Sequence, residues 1–353
     1  PRPYVDPSRG QVRAKIAPSA AFSSSPPAQS GHPRLVRRAR TCDRTTALGH
    51  PGALVMLHGV LILDKPANLT SAQVVDSVRR RAKVRKAGHT GTLDPLATGV
   101  LPIVLGHATK LAGYLLAEDK AYDAELELGV STDTFDRTGT ITARHEAAAE
   151  ALSDAALAQA LAELRGATEQ LPPMFSAIKQ DGVRLYHRAR AGEEVPRTPR
   201  PIKLHSLELR WRRGRTLAIS VHCSKGTFVR SLVADLGSAL GVGAHLTELR
   251  RTRSGDYSLE QALPLAEITP ELAAARLIPM TRMLSARSIV VPRERHLDLR
   301  NGRPELLAEL TCELSGMAQL LDDEGQLLAL IERGPEGARY LRVFAESLPK
   351  QGG

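Results

Sequence analysis

The sequence predicts an α+β protein built around one mixed sheet, with a smaller β-rich domain at its C-terminal end. Three observations carry this. Short apolar strands and amphipathic helices are interspersed from residue 57 onwards, without the regular strand–helix–strand repeat of a parallel fold. Two strands are unbroken apolar runs, as buried strands are, and a third alternates as a half-exposed one does. Beyond residue 286 helical periodicity gives way to short strands and glycine turns.

Residues 1–56 lack periodic hydrophobicity and include the run APSAAFSSSPPAQSG, so they cannot bury enough surface to offset ordering entropy. Their Arg- and Ser-rich, acid-poor character fits an organelle leader. The compact pattern begins abruptly at Leu57, however, which favours Met56 as the true start. GVLILDKP (59–66) reads as a buried strand ended by Pro66. TSAQVVDSVRRRAK (70–83) reads as a helix capped by Thr70 or Ser71. Val74, Val75 and Val78 share one face, and the bases gather at its C-terminal end. GVLPIVLG (99–106) is a second buried strand and HATKLAGYLLAED (107–119) a helix. AYDAELELGV (121–130) alternates, with Tyr122, Ala124, Leu126 and Leu128 on one face.

A helix at about 152–165, a turn at Pro172 and Pro173, strands at 202–211 and 216–223, and a helix at 228–241 follow, then helical character to about 286. Residues 287–347 read as strands, the leucines near 306–314 included, with turns at Gly302, Gly325 and Gly334. The expected domains are therefore 57–286 and 287–347.

The net charge of +10 divides unevenly. Residues 1–56 hold nine Lys/Arg and two acids, a net of +7, which leaves 39 bases and 36 acids, a net of +3, in the other 297 residues. Local clusters remain: RRRAKVRK (79–86) and RRTR (250–253) are either solvated faces or contacts to a polyanion. Cys42, Cys223 and Cys312 are far apart and form no CxxC pair, which argues against a disulfide framework and a zinc site and suits a reducing, cytoplasmic setting. No apolar run reaches the roughly 18 residues of a membrane span.

The chain contains no GxSxG, P-loop, HExxH or strand-linked GxGxxG, so hydrolase, NTPase, zinc protease and dinucleotide chemistries lose support. What remains is HTGTLDPLATGVLP (89–102), where Asp94 is the sole carboxylate. Asp before Pro is a common turn opener, its side chain bonding nearby backbone N–H groups. Against that, the loop lies between two apolar strands, which would hold Asp94 on a rigid scaffold. Its small neighbours Gly91, Thr92, Ala97, Thr98 and Gly99 would let a planar substrate approach the backbone. A lone carboxylate can act as a nucleophile or stabilise oxocarbenium character. A glycosidase needs a second carboxyl within about 10 Å, and no second acid is nominated by the sequence.

GVLILDKPANLTS (59–71), AGHTGTLDPLATGVLPIVLGHATK (87–110), KAYDAELELGVSTDTFDRTG (120–139), PPMFSAIKQDGVRLYHRARAG (172–192) and CSKGTFVRSLVADLGSALGVGAHLTELRRTRSG (223–255) resemble the successive motifs of the TruB-type pseudouridine synthases, in the family's order. Residues 287–347 occupy the place of that family's small PUA-like RNA-binding domain. The resemblance implies isomerisation of uridine-55 in the T loop of tRNA to pseudouridine, with no cofactor and no metal in the reaction. Asp94 would be the essential aspartate. Tyr122 would pack on the uracil and take the C5 proton, Arg230 would pair with the aspartate, and Leu249 would wall the pocket.

A stacked base must be flipped out at a cost of a few kcal/mol, and His89 matches the residue that fills the vacated stack. Lys65, Lys179 and Arg184 are expected at phosphates, and the 174–195 insert is expected to order on RNA. Asn68 stands where glycine is common, at a position needing an unusual backbone that Asn tolerates. The implied partner is the tRNA T-stem-loop, bound by a monomer away from membranes. Two other readings stay open: an RNA-folding protein with secondary catalysis, and a guide-RNA-dependent synthase working within a multiprotein particle.

Overall fold

The computed structural model describes residues 56–344, apart from residues 117, 177, 181, 194, 312 and 313 and the side chain of Arg184. The leader up to residue 55, with Cys42, and Cys312 lie outside the described residues.

The first strand, β1 (Gly59–Lys65), leads into helix α1 (Ser71–Arg81). Thr70 caps that helix through a capping box with Gln73, and the bend before it is made by Asn68, whose φ of 64° bears out its expected unusual backbone. Strand β2 (Ala87–His89) precedes the Asp94 loop, and β3 (Thr98–Leu105) follows it. β1 and β3 pair antiparallel from Gly59↔Leu105 to Lys65↔Gly99. Their apolar runs are explained by burial on two faces. Leu61, Leu63, Leu101, Ile103 and Leu105 enter the main core, whereas Val60, Ile62, Val100 and Val104 enter a second core behind the sheet.

Strand β4 (Lys120–Leu128) buries Tyr122, Ala124, Leu126 and Leu128 on one face, as its alternation predicts. Helix α2 (Asp154–Arg165), the hairpin β5 (Leu204–Arg213) and β6 (Thr216–Cys223), and helix α3 (Val229–Ala239) follow close to their expected places. α3 has no capping side chain of its own; the buried Gln170 amide accepts from Phe228 N–H at 2.8 Å and donates to Phe228 O at 3.1 Å.

The expectation of helical character after residue 241 is overturned at Ala244–Ser254, which is an eleven-residue strand, β7. It is central: the sheet runs β5-β6-β4-β7-β3-β1, with β7 antiparallel to β4 and parallel to β3. Its arginines disguise it. Arg250 makes two hydrogen bonds to Asp64 and Arg251 is turned fully inward, so RRTR is not a simple solvated face. The 107–119 helix shortens to a 3-10 turn (Gly106–Leu111) and one α-turn (Ala112–Leu115).

The C-terminal part forms its own four-stranded sheet from Arg287–Val290, Gly316–Leu321, Leu327–Gly334 and Gly337–Val343. The leucines expected in a strand near 306–314 instead begin in a helix, Pro304–Leu310, with proline at its first turn and Leu306 and Leu307 buried. Leu327, Leu330 and Phe344 of this part complete the core behind β1 and β3.

Gly99 marks one of the tightest approaches in the sheet. Its φ is 99°, and a Cβ there would stand 2.2 Å from the Arg251 carbonyl oxygen. Gly99 and Ala97 are both buried, and Gly99 packs directly on the Arg251 backbone. Gly99→Ala is expected to lower stability by about 3 kcal/mol or more, read by urea denaturation, because left-handed strain adds to a backbone overlap. A loss below about 1 kcal/mol would show that β3 and β7 can part freely.

Candidate active site

The loop between β2 and β3 is held from several sides by buried polar groups. Ser71 Oγ accepts from Leu93 N–H at 2.9 Å and donates to Leu93 O at 3.1 Å. Asn68 N–H donates to Pro95 O, and Ala97 N–H closes a turn onto Asp94 O at 3.1 Å. The Asp-Pro turn reading is therefore correct for the backbone, but the Asp94 carboxylate points elsewhere.

It points at Arg230, on the first turn of α3. Nε donates to Asp94 Oδ2 at 2.8 Å and Nη2 to Oδ1 at 3.2 Å, a two-point contact. Nη2 also donates to Phe175 O at 2.8 Å, and Nη1 to Thr134 O at 2.9 Å. The Arg230 side chain is 5% exposed, whereas that of Asp94 is 34% exposed. A buried, fully directed cation thus presents a carboxylate that a substrate can reach.

Asp136 was not singled out by sequence, although it lies in the DTFDRTG stretch. Its Oδ2 is 3.8 Å from Arg230 Nε. Its Oδ1 accepts from Thr134 Oγ1, Thr138 N–H and Thr138 Oγ1 at 2.9, 2.9 and 2.6 Å. Being buried and engaged within its own loop, it is a second anion for Arg230 and is shut away from substrate. Phe135 beside it has a φ of 62°, a conformation a bulky residue adopts only when held. Leu246 N–H on β7 donates to its carbonyl at 3.0 Å.

Tyr122 and Arg251 are register partners on β4 and β7, and Leu249 is the partner of Ala124. The structure therefore gathers Tyr122 and Leu249 onto the two strands beside the Asp94 loop, both buried. Burial pushes the Tyr122 phenol above its ordinary range; the Arg251 guanidinium acts against this, and the Asp94 charge adds to it. Arg251 is wholly buried, with Nε donating to Val100 O at 2.7 Å and Nη2 to Gly91 O at 3.2 Å. Sequence could not mark it, since its neighbours Arg250 and Arg253 are ordinary surface-type arginines.

His89 sits at the end of β2, half-buried, with Nδ1 enclosed and without a partner among the described residues. Burial and then Arg251 hold its pKa below 6.5, which favours the neutral ring. Lys179 is exposed on a short hairpin strand (Lys179–Gln180) of the insert, beside a pocket that Arg197 and Arg200 also line. The side chain of Arg184 lies outside what the structure describes.

Lys65 departs from expectation. Foreseen at a phosphate, it is wholly buried, and Nζ donates to the carbonyls of Pro66, Pro95 and Ala97 at 3.0, 3.2 and 2.6 Å. All three ammonium donors are spent on backbone carbonyls, two of them in the Asp94 loop, so none is left for RNA. Burial pulls its pKa from 10.5 to about 8, Asp94 partly opposing and Arg251 adding to the fall.

The family model for the N-terminal domain of TruB family pseudouridylate synthases matches residues 79–229, and that for the tRNA pseudouridylate synthase B C-terminal domain matches residues 230–297. A protein named tRNA pseudouridine synthase B from Aromatoleum aromaticum is 51% identical over 221 residues, 63% of this chain and 71% of that one. The chain belongs to the TruB family. A second TruB relative of the same name, from Azoarcus sp., is 45% identical over 63% of this chain and 73% of its own. Among solved structures, a Cbf5-Nop10-Gar1 complex matches with a TM-score of 0.61 at 25% identity, over 83% of this chain and 87% of that one. The two TruB models meet between residues 229 and 230, within α3 and immediately before the Asp94 partner Arg230, so their border is no break in the fold.

Lys65→Met is expected to cost about 1–3 kcal/mol, because it strands buried carbonyls. The pH dependence has a definite sign. The folded-state pKa is depressed, so between about 8 and 10.5 the unfolded chain holds more protons and stability rises with pH. Urea denaturation across that window should show the gap between wild type and Lys65→Met widening with pH; a constant gap would remove Lys65 from the buried position.

Proposed function

We propose that this protein is a stand-alone tRNA pseudouridine synthase acting on uridine-55 of the T loop. The observation carrying this is the two-point contact between buried Arg230 and partly exposed Asp94, next to Tyr122 and Leu249. The tRNA reading is supported by relatives of that name at 45–51% identity. The guide-dependent alternative rests on a likeness at 25%.

In the proposed reaction the N1–C1′ bond of uridine breaks, the uracil turns, and a C5–C1′ bond forms. The C5 proton leaves and N1 is protonated, so the product is an isomer and no external reactant is consumed. Asp94 attacks or stabilises the reacting nucleotide and is released afterwards, which is why a single reachable carboxylate suffices. Arg230 aims it. Tyr122 packs on the base and takes the C5 proton, with Leu249 as the apolar wall. Neutral His89 fits the stack that the flipped base vacates. Lys179, Arg184 and the 79–86 bases are assigned to phosphates. There Arg79 and Arg80 already pair with Asp76, while Arg81 donates to Ala266 O, which leaves Lys83, Arg85 and Lys86 as the stronger candidates. Residues 287–347 are assigned to RNA binding as a PUA-like module. A monomer in the cytoplasm fits this work, and no described helix is long and apolar enough to cross a membrane.

The decisive experiment incubates the purified protein alone with unmodified tRNA and maps pseudouridine. Modification at uridine-55 supports the proposal. No product without added guide RNA and partners would favour the particle-bound reading, and tRNA refolding without product the chaperone reading. Asp94→Asn should abolish product while tRNA binding stays within a few-fold; substantial turnover would remove Asp94 from the chemistry. Arg230→Lys should cut the single-turnover rate roughly 100-fold or more, about 3 kcal/mol, since an ammonium cannot reach two carboxylate oxygens and two carbonyls together. Unchanged kinetics would exclude Arg230 from the site.

A further inference from the structure

On the sheet face opposite Tyr122, three potential metal ligands from adjacent strands converge. His205 lies on β5 and His222 on β6, while Asp119 immediately precedes β4. The register explains their meeting. His222 pairs with Ala121 of β4 and with Ser206 of β5, and the pairing of β5 slips between Leu204 and Ser206 so that His205 is the extra residue. Such a bulge re-aims a side chain, here towards the next strand. The two imidazoles lie 4.6 Å apart between ring centres, and His205 Nε2 is 2.9 Å from Asp119 Oδ2. One ligand atom from each of the three falls within 4.8 Å of the others.

We propose that Asp119, His205 and His222 form a binding site for a divalent transition-metal ion of the zinc, cobalt or nickel class. Bonds of about 2.0–2.2 Å to imidazole nitrogen and carboxylate oxygen put ligand atoms roughly 3.3 Å apart around a tetrahedral ion. The present 2.9 Å contact need open only slightly, and the wider pair close by a side-chain rotation, to reach that spacing. Two imidazoles with one carboxylate select borderline metals over magnesium or calcium, which prefer oxygen.

The surroundings favour a cation. An open pocket of about 390 Å³ beside the cluster is lined by Asp119, His222, Glu118 and Asp256, with Arg253 as the opposing charge. Glu118 Oε2 is enclosed there and has no hydrogen-bond partner among the described residues. The pocket gives a fourth, exchangeable ligand room to enter. An ion bound here would tie the start of β4 to the β5–β6 hairpin without entering the uridine pocket, because side chains alternate across the strand. The site is independent of the pseudouridylation proposal.

The test uses the full-length, tag-free protein freed of metal with a chelator. Titration with Zn2+ at pH 7.5 by calorimetry should give one ion per chain at low-micromolar concentration, roughly 10 µM or below. Co2+ should give the visible absorption of a four-coordinate ion, and Mg2+ no signal. His205→Ala and His222→Ala should each weaken binding about 100-fold, while pseudouridine formation without metal stays at the wild-type rate. Absence of Zn2+ binding at about 100 µM, or binding that survives the double variant, would overturn the assignment.

Discussion

One buried guanidinium sets the geometry on which the site depends. Arg230 donates to Asp94 and to the carbonyls of Thr134 and Phe175, and it faces Asp136. Three loops separated by up to about eighty residues of sequence thus share one side chain on one helix turn. Removing the charge would leave carbonyls and two acids facing one another, so the pair is costly to break even though a buried ion pair adds little net stability over apolar packing. Orientation is what the arrangement secures: the fork fixes both oxygens of the one carboxylate left open to solvent.

Beneath the same loop, positive charge is held by an unusual means. Lys65, Lys120 and Arg251 are buried and donate to backbone carbonyls, several of which belong to the loop itself. Carbonyl dipoles compensate a buried cation less fully than a carboxylate does. The lysines respond as expected, both falling to a pKa of about 8. The carboxylates near this cluster therefore sit in a field of preset positive charge in a partly dry environment, the condition under which fixed charges act most strongly on a reacting group.

Much of this was legible from sequence where the physics is local. Apolar runs marked β1 and β3 and strict alternation marked β4, while the unusual backbone at Asn68 came from the family resemblance. Asp94 stood out because nothing ionisable except His89 shares its loop. The misses at and beside the site share a cause: charged residues that tertiary contacts turn inward. Lys65 carries a side chain that is almost never fully buried, so its three carbonyl partners could not be foreseen. β7 was hidden by arginines whose compensation comes from Asp64, Val100 and Gly91, distant in sequence. Asp136 is not singled out by its sequence context: it is a turn residue in its own loop, and its second role exists only because α3 passes within reach.

The second core, behind β1 and β3, bears on how the two halves of the molecule can evolve. Leu327, Leu330 and Phe344 fill the rear of the strands whose front carries the Asp94 loop. The C-terminal sheet is thus a structural wall of the catalytic half as well as a neighbour to it. Such a part is not an interchangeable cassette. Sequence drift at its inner leucines must track drift in Val60, Ile62, Val100 and Val104, so the positions most free to diversify are its exposed ones, which can change without disturbing the aim of Asp94.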